Sequence, residues 1–261
     1  MKAYSEAEQL QKEHYDSIAS AYEAHYGDEW SQRYRWRFVN EPMLGDVDLR
    51  SLEVLDAMCG SGQTTEYLLH RGARVTGLDI SQGEIDRFRE RFPSCRVRCG
   101  SIFSTDFPSE CFDCVTVVGG LHHLHPDCPV AIDEIHRILK PGGLFCFYEP
   151  HRGSLPDLAR QIWYRRDKLF AANEAAIDLT MLKRTFACKF EFQKEEYGGS
   201  IAYLLVLNSM VFRVPPSVKR FYSRPLLHLE SMIQRMQGKR SSCWVICRWR
   251  KHLLPTHQGS A

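Results

Sequence analysis

From Leu52 to Pro150 the apolar positions fall in short blocks separated by stretches of helical spacing. Leu52 to Asp56 is a first apolar block, and Gln63 to Arg71 has the pattern of a helix. Arg74 to Asp79 predicts a second strand, followed by a helix over Gln82 to Arg91 and a short third strand at Arg96 to Cys99. Phe112 to Val118 is almost wholly apolar, as a strand covered on both faces must be. Pro129 to Leu139 places Ile132, Ile135 and Leu139 on one helical face. The turn Lys140-Pro141-Gly142 then leads into a fifth strand, Gly143 to Tyr148. Strands alternating with helices in this way predict a mostly parallel sheet with helices on both faces, an α/β doubly wound, Rossmann-like arrangement.

The flanks follow other patterns. The first fifty residues are helical in spacing and rich in aromatic side chains, among them Tyr15, Tyr22, Trp30, Tyr34 and Trp36. Beyond Pro150, Leu155 to Phe170 is helical and carries Trp163, Tyr164, Arg165 and Arg166. Phe186 to Glu196 predicts a strand, and Ser200 to Gln237 is mostly helical with a break at Pro215 and Pro216. Ser242 to Arg250 alternates as a final strand, expected to run antiparallel. The predicted organisation is an N-terminal helical cap (1–50), a cofactor-binding core (51–150), a C-terminal completion of the sheet with helical substrate-binding insertions (151–252) and a flexible tail (253–261).

Composition narrows the class. With 44% apolar and 25% charged residues, 261 residues suffice for a sizeable buried core. A net charge of +2 gives no bulk signature of nucleic-acid binding, and no nucleic-acid partner is expected. Met1 to Asp16 is too polar for a signal peptide, and the longest apolar run, Ile201 to Val214, is interrupted by Asn208, Ser209 and Arg213. The ten cysteines sit largely in apolar or Gly-rich segments, where a free thiol behaves as a small hydrophobe. The pair Cys111 and Cys114 has no second pair at metal-ligand spacing, so no metal site is expected. A reducing compartment, and hence a cytoplasmic location, follows as the expectation.

Candidate chemistry is concentrated at two strand ends. In Val54-Leu55-Asp56-Ala57-Met58-Cys59-Gly60-Ser61-Gly62-Gln63-Thr64 an apolar strand ends in an acid, a Gly-rich turn follows, and a helix begins. Such a turn lets the backbone approach a ligand, and the new helix offers free N–H groups. It suits NAD, FAD or adenosylmethionine, or serves only as a tight turn. Asp79 ends the next strand about 20 residues later, where an acid can accept both hydroxyls of a ribose or cap the following helix. The tract lacks an intact G-x-G-x-x-G, because Gly60-Ser61-Gly62 is followed by Gln63-Thr64-Thr65, and this disfavours an NAD-dependent oxidoreductase.

The motifs in order resemble those of the class I S-adenosylmethionine-dependent methyltransferases, in particular the small-molecule branch of the ubiquinone/menaquinone-biosynthesis enzymes. Leu55 to Gly62 is similar to that family's first motif and Gly77-Leu78-Asp79-Ile80-Ser81 to its second. Cys111 to Val115, Leu121-His122-His123-Leu124 and Glu134 to Gly143 resemble the strand, loop and helix-to-strand turn that follow. Tyr15 to Tyr22 is similar to the helix that covers the cofactor, which implies contacts from Tyr15 and Tyr22. The resemblance further implies that Asp56, Ala57, Gly60 and Gly62 border the methionine part of the cofactor. Asp79 would hold the ribose and Ile80 would pack on the adenine. Gly100-Ser101-Ile102 stands where the family usually has Gly-Asp and then a small or apolar residue, so Ser101 takes the place of the acid that accepts from the adenine amino group, and Gly119 would approach the amino-acid part or the transferring methyl. The implied cofactor is S-adenosylmethionine, with S-adenosylhomocysteine as product.

Methyl transfer from a sulfonium is an in-line displacement that requires an aligned acceptor and, for many acceptors, removal of a proton. His123 and His122 are the candidate bases, since imidazole titrates near neutrality, with Glu149 and His151 close by. The expected acceptor is an O, N or C atom of a small, partly hydrophobic metabolite such as a lipid, polyketide, quinone-like or saccharide intermediate. The stretch from Gly198 to Arg240, apolar and then basic and aromatic, suits a lid over that acceptor, a contact with an anionic membrane surface, or a second small core. An RNA or protein acceptor, and a non-catalytic partner subunit, are the competing readings. The oligomeric state is not legible.

Overall fold

The computed structural model describes residues 25–164, 175–212 and 214–253. Seven strands form one sheet in the order β3-β2-β1-β4-β5-β7-β6. They are β1 (Glu53–Ala57), β2 (Arg74–Asp79), β3 (Arg96–Cys99), β4 (Phe112–Val118), β5 (Leu139–Pro150), β6 (Phe190–Gly198) and β7 (Trp244–Lys251). β1 pairs in parallel with β2 and with β4, and β4 in parallel with β5. β7 runs antiparallel to both β5 and β6, so the final strand has the predicted direction. The order reverses between β1 and β4, and at such a switch point the loops diverge and leave a crevice beyond the carboxyl ends of the strands.

Eight α-helices cover the two faces among the described residues: α1 (Glu29–Arg35), α2 (Glu41–Leu44), α3 (Thr65–His70), α4 (Gln82–Arg91), α5 (Cys128–Ile138), α6 (Leu155–Tyr164), α7 (Leu179–Phe186) and α8 (Lys219–Gln234). A π-helical turn, Trp36–Asn40, joins α1 to α2, and a second lies at Tyr203–Leu207. The period-two alternation of the strands separates two cores. Leu55, Val115, Phe145, Phe147 and Trp249 pack with α5 and α7, while Val54, Cys114, Cys146, Trp244 and Ile246 pack with α1, α2, α3 and α8. All ten cysteines are free; Cys59, Cys114, Cys146 and Cys247 are buried, as expected of core hydrophobes, whereas Cys99 and Cys188 are exposed.

Among the boundaries that differ from expectation, three have a clear local cause. Phe186 is the last residue of α7 and not the start of a strand. Asp178 caps that helix by accepting from the Met181 amide, and Leu179, Leu182 and Phe186 form its buried line, a short helical period that the aromatic run Phe186, Phe190, Phe192 obscured. The helix after β1 begins at Thr65 and not at Gln63, because the Gly-rich turn runs on through Thr64. β5 begins at Leu139, which pairs with Phe112 before an irregularity in register brings Leu144 opposite Cys114. Leu155 to Phe170 is helical to Tyr164, and its remainder lies outside the described residues.

Candidate active site

A cleft of about 900 Å³, open mouth included, lies beyond the carboxyl ends of β1, β2 and β4. Its floor is the turn after β1. Met58 and Gly60 take left-handed backbone conformations there, with φ of 56° and 52°. The Asp79 carboxylate straps this turn to the next: Oδ2 accepts from the Gly60 amide at 2.8 Å and Oδ1 from the Ser81 amide at 2.9 Å. Ser81 then caps α4 by accepting from the Glu84 amide at 3.2 Å, and Glu84 itself lines the cleft. Asp79 thereby fixes the turn after β1 against the start of α4 at the mouth of the cleft.

Asp56 lies deeper, opposite Gly77 on one side and Thr116 on the other. Thr65 Oγ1 donates to it at 2.6 Å and Thr116 Oγ1 at 3.2 Å. Burial pushes its carboxyl up to about 7, against the two hydroxyls and the Arg35 guanidinium, which pull it down. Arg35 comes from α1, lines the same cleft and is only 8% exposed. Its Nε is buried with no hydrogen-bond partner. A buried guanidinium nitrogen in that state has paid its desolvation without return, which points to an anionic group that completes the site.

The third wall is the loop after β4. Gly119 has φ of 72°, and a Cβ built on it would meet nothing within 4 Å, so it opens directly into the cleft. The loop is held by Glu149 at the end of β5. Glu149 Oε1 accepts from the amides of Gly120 at 2.8 Å and Leu121 at 2.7 Å. Oε2 accepts from the His122 amide at 3.3 Å and pairs with His122 Nδ1 at 2.7 Å. Burial pushes Glu149 up to about 7, opposed by the amides of Leu121 and Gly120. His123 faces the cleft, nearly buried, with its ring 3.8 Å from that of His122.

Of the residues singled out from sequence, Asp56, Gly60, Asp79, Ile80, Ser101, Ile102, Gly119 and His123 line the cleft together. Ala57, Gly62 and His122 do not. Gly62, at φ of 91°, instead lies where a Cβ would run into the Phe92 ring, so its bareness serves the packing of the chain after α4. Ser101 accepts from the Phe103 amide at 3.0 Å within its own loop. Tyr15 and Tyr22 lie outside the described residues. Sequence reasoning missed Arg35 and Glu84. Arg35 had a legible signal, because it shares one helical face with Ser31, Tyr34 and Phe38, all of them buried.

The described residues contain no cluster able to hold a metal ion and no helix long and apolar enough to cross a membrane. Residues 55–147 match the family model described as "Methyltransferase domain". An uncharacterized methyltransferase of Synechocystis sp. is 32% identical over 143 residues, which cover 48% of this chain and 68% of that protein. Malonyl-[acyl-carrier protein] O-methyltransferase of Salmonella typhimurium is 34% identical over 135 residues, so the chain spans about half of its length, 51%. The crystal structure of the [4+2]-cyclase SpnF superposes with a TM-score of 0.65 at 19% identity, over 95% of this chain and 97% of that one, a likeness of fold. With its motifs in order along this sheet and a methyltransferase aligned over two-thirds of that relative's length, the chain belongs to the class I S-adenosylmethionine-dependent methyltransferases.

Proposed function

We propose that the chain transfers a methyl group from S-adenosylmethionine to an O, N or C atom of a small, partly hydrophobic metabolite. The observation that carries this reading is the convergence of Asp79, Asp56, Arg35, Gly119 and His123 on one cleft at the switch point of the sheet. Bound there, the cofactor supplies an electrophilic methyl on sulfur and leaves as S-adenosylhomocysteine. Asp79 accepts the ribose hydroxyls, and Ile80 and Ile102 hold the adenine between apolar walls. Arg35, with its unpartnered Nε, binds the carboxylate of the amino-acid end, and Asp56 takes the ammonium side. Bare Gly119 leaves room for the acceptor beside the methyl. Met58, Phe103 and Leu124, also on the cleft wall, exclude water around it.

His123 is the base in this scheme, and Glu149 acts through the loop it pins. His123→Ala lowers kcat by about 100-fold or more while cofactor affinity stays nearly constant. The likeness to malonyl-[acyl-carrier protein] O-methyltransferase favours one alternative, methylation of a carboxylate. Such an acceptor is ionised at neutral pH and needs no base, so unchanged turnover in His123→Ala would select it. Cofactor identity is tested by calorimetry with S-adenosylmethionine, S-adenosylhomocysteine and NAD. The first two bind, and Asp79→Ala weakens both by about 100-fold through two lost charge-assisted hydrogen bonds. Binding of NAD alone would overturn the reading.

A further inference from the structure

The outer surface of α8 combines an exposed apolar line with an exposed cationic one. Its inner line, Lys219, Ser223, Leu227 and Glu230, is buried, and the Lys219 ammonium is neutralised inside by Asp28. Along the outside, Val218, Phe221, Pro225, Leu229, Met232 and Met236 follow i, i+3/i+4 spacing. Phe221 is 71% exposed, Met232 66% and Met236 88%. A second exposed line, Arg220, Arg224, His228 and Arg235, runs beside the apolar one. Against this cationic line lies a groove to which α1 and the π turn contribute Trp30, Arg33, Trp36 and Arg37 and α8 contributes Arg224 and His228. Glu29 pairs with Arg33 here at 2.6 Å, and among the described residues no ion pair is formed by Arg37, Arg220, Arg224 or Arg235. A whole-chain net charge of only +2 makes this concentration of cations a local feature.

We propose that α8 and the groove beside it form a docking face for an anionic phospholipid surface. Over the 16 residues of the helix the apolar line runs roughly 24 Å, long enough to rest on a surface and sink its side chains about 5–10 Å into the acyl boundary, with Pro225 on the exposed side. The arginines then stand at the depth of the phosphates, and Trp30 and Trp36 lie where an amphipathic ring is most favourable. An acidic protein partner would use the same side chains and is kept as an arm of the test; the sorting of apolar and cationic residues into two adjacent lines matches the layered depth of acyl boundary and phosphates in an anionic bilayer. The inference stands on this surface alone and is independent of the methyl-transfer reading.

The test is flotation of the full chain with vesicles of phosphatidylcholine and with an equimolar mixture of phosphatidylcholine and phosphatidylglycerol. The chain floats with the anionic vesicles and not with the neutral ones, and high salt releases it. Phe221→Ser combined with Met232→Ser weakens binding by about 10-fold or more. Arg37→Glu combined with Arg224→Glu weakens it by about 25-fold or more, each arginine contributing about fivefold. All four side chains are exposed or flank the groove, so the thermal midpoint of each variant stays within about 2 °C and excludes misfolding as the cause. Failure to float with anionic vesicles, or flotation unchanged by both double variants, would overturn the proposal. Indifference to vesicles together with binding of an acidic carrier protein would overturn it too, and would assign the face to a protein partner.

Discussion

Asp56 near the end of β1 and Glu149 near the end of β5 are both buried carboxylates, and burial pushes both up to about 7. Their partners differ. Asp56 accepts from two side-chain hydroxyls, Thr65 and Thr116, each belonging to an element already fixed by the sheet or its helix. Glu149 accepts from three consecutive backbone amides and an imidazole, all in the loop after β4. Asp56 therefore tunes charge at a site the fold has already shaped, whereas Glu149 creates the shape of its site. Comparable burial and comparable pKa conceal opposite roles, one electrostatic and one architectural.

The comparison breaks most visibly at Glu149. Replacing it with alanine leaves four donors without their acceptor, and the variant loses about 3 kcal/mol or more of stability. Thermal unfolding should fall by about 10 °C for a chain of this size. Glu149→Gln keeps an acceptor for the amides of Gly120 and Leu121 and should retain most of the stability while it releases His122. A scanning calorimeter separates the two variants. If alanine were tolerated as well as glutamine, the loop would be held by something other than this clamp.

A change at Arg35 divides architecture from function in the other region. Its Nε is buried without a partner, so the guanidinium costs the fold free energy. Arg35→Met keeps the volume and removes that cost, and stability should hold or rise. Affinity for S-adenosylhomocysteine should fall by about 10- to 100-fold, the worth of a charge-assisted hydrogen bond to a carboxylate. Calorimetry and thermal melting on the same sample read both effects. A parallel loss of stability and affinity would make Arg35 a structural residue after all.

How much of this was legible in the sequence depended on the range of the interaction. β2, β3, β4 and α4 were predicted to the residue, because each is an uninterrupted local pattern bounded by a turn. The places of Asp79, Gly60 and Gly119 on the cleft were visible for the same reason, since each motif and the stretch of cleft wall it forms lie within a few residues of each other. The Asp79 strap to Gly60 could not be seen, as it joins two strands across the sheet. Arg35 was hidden by distance as well: it enters the cleft from a helix that precedes β1, and only its place on the buried face of α1 betrays it. The α8 surface was half legible, since its apolar and basic residues are plain in sequence. Their sorting into two parallel lines is a product of helical geometry.

The smallest effect bears on Asp56 and concerns pH. A carboxyl held near 7 in the fold but near 4 in the unfolded chain binds more protons when folded between those values. Stability therefore declines as pH rises from about 4 to about 7 and levels off above it, Asp56 and Glu149 each contributing at most about 1.4 kcal/mol per pH unit. Asp56→Asn removes one of the two contributions without disturbing the strands, and denaturant titrations at several pH values should show a shallower decline. Glu149→Gln removes the other. In Arg35→Met the nearest cation is gone, Asp56 rises further, and the decline should steepen and extend above pH 7. If Asp56→Asn and wild type run parallel instead, Asp56 is ionised throughout, and Arg35 is its counterion more than an anchor for the cofactor.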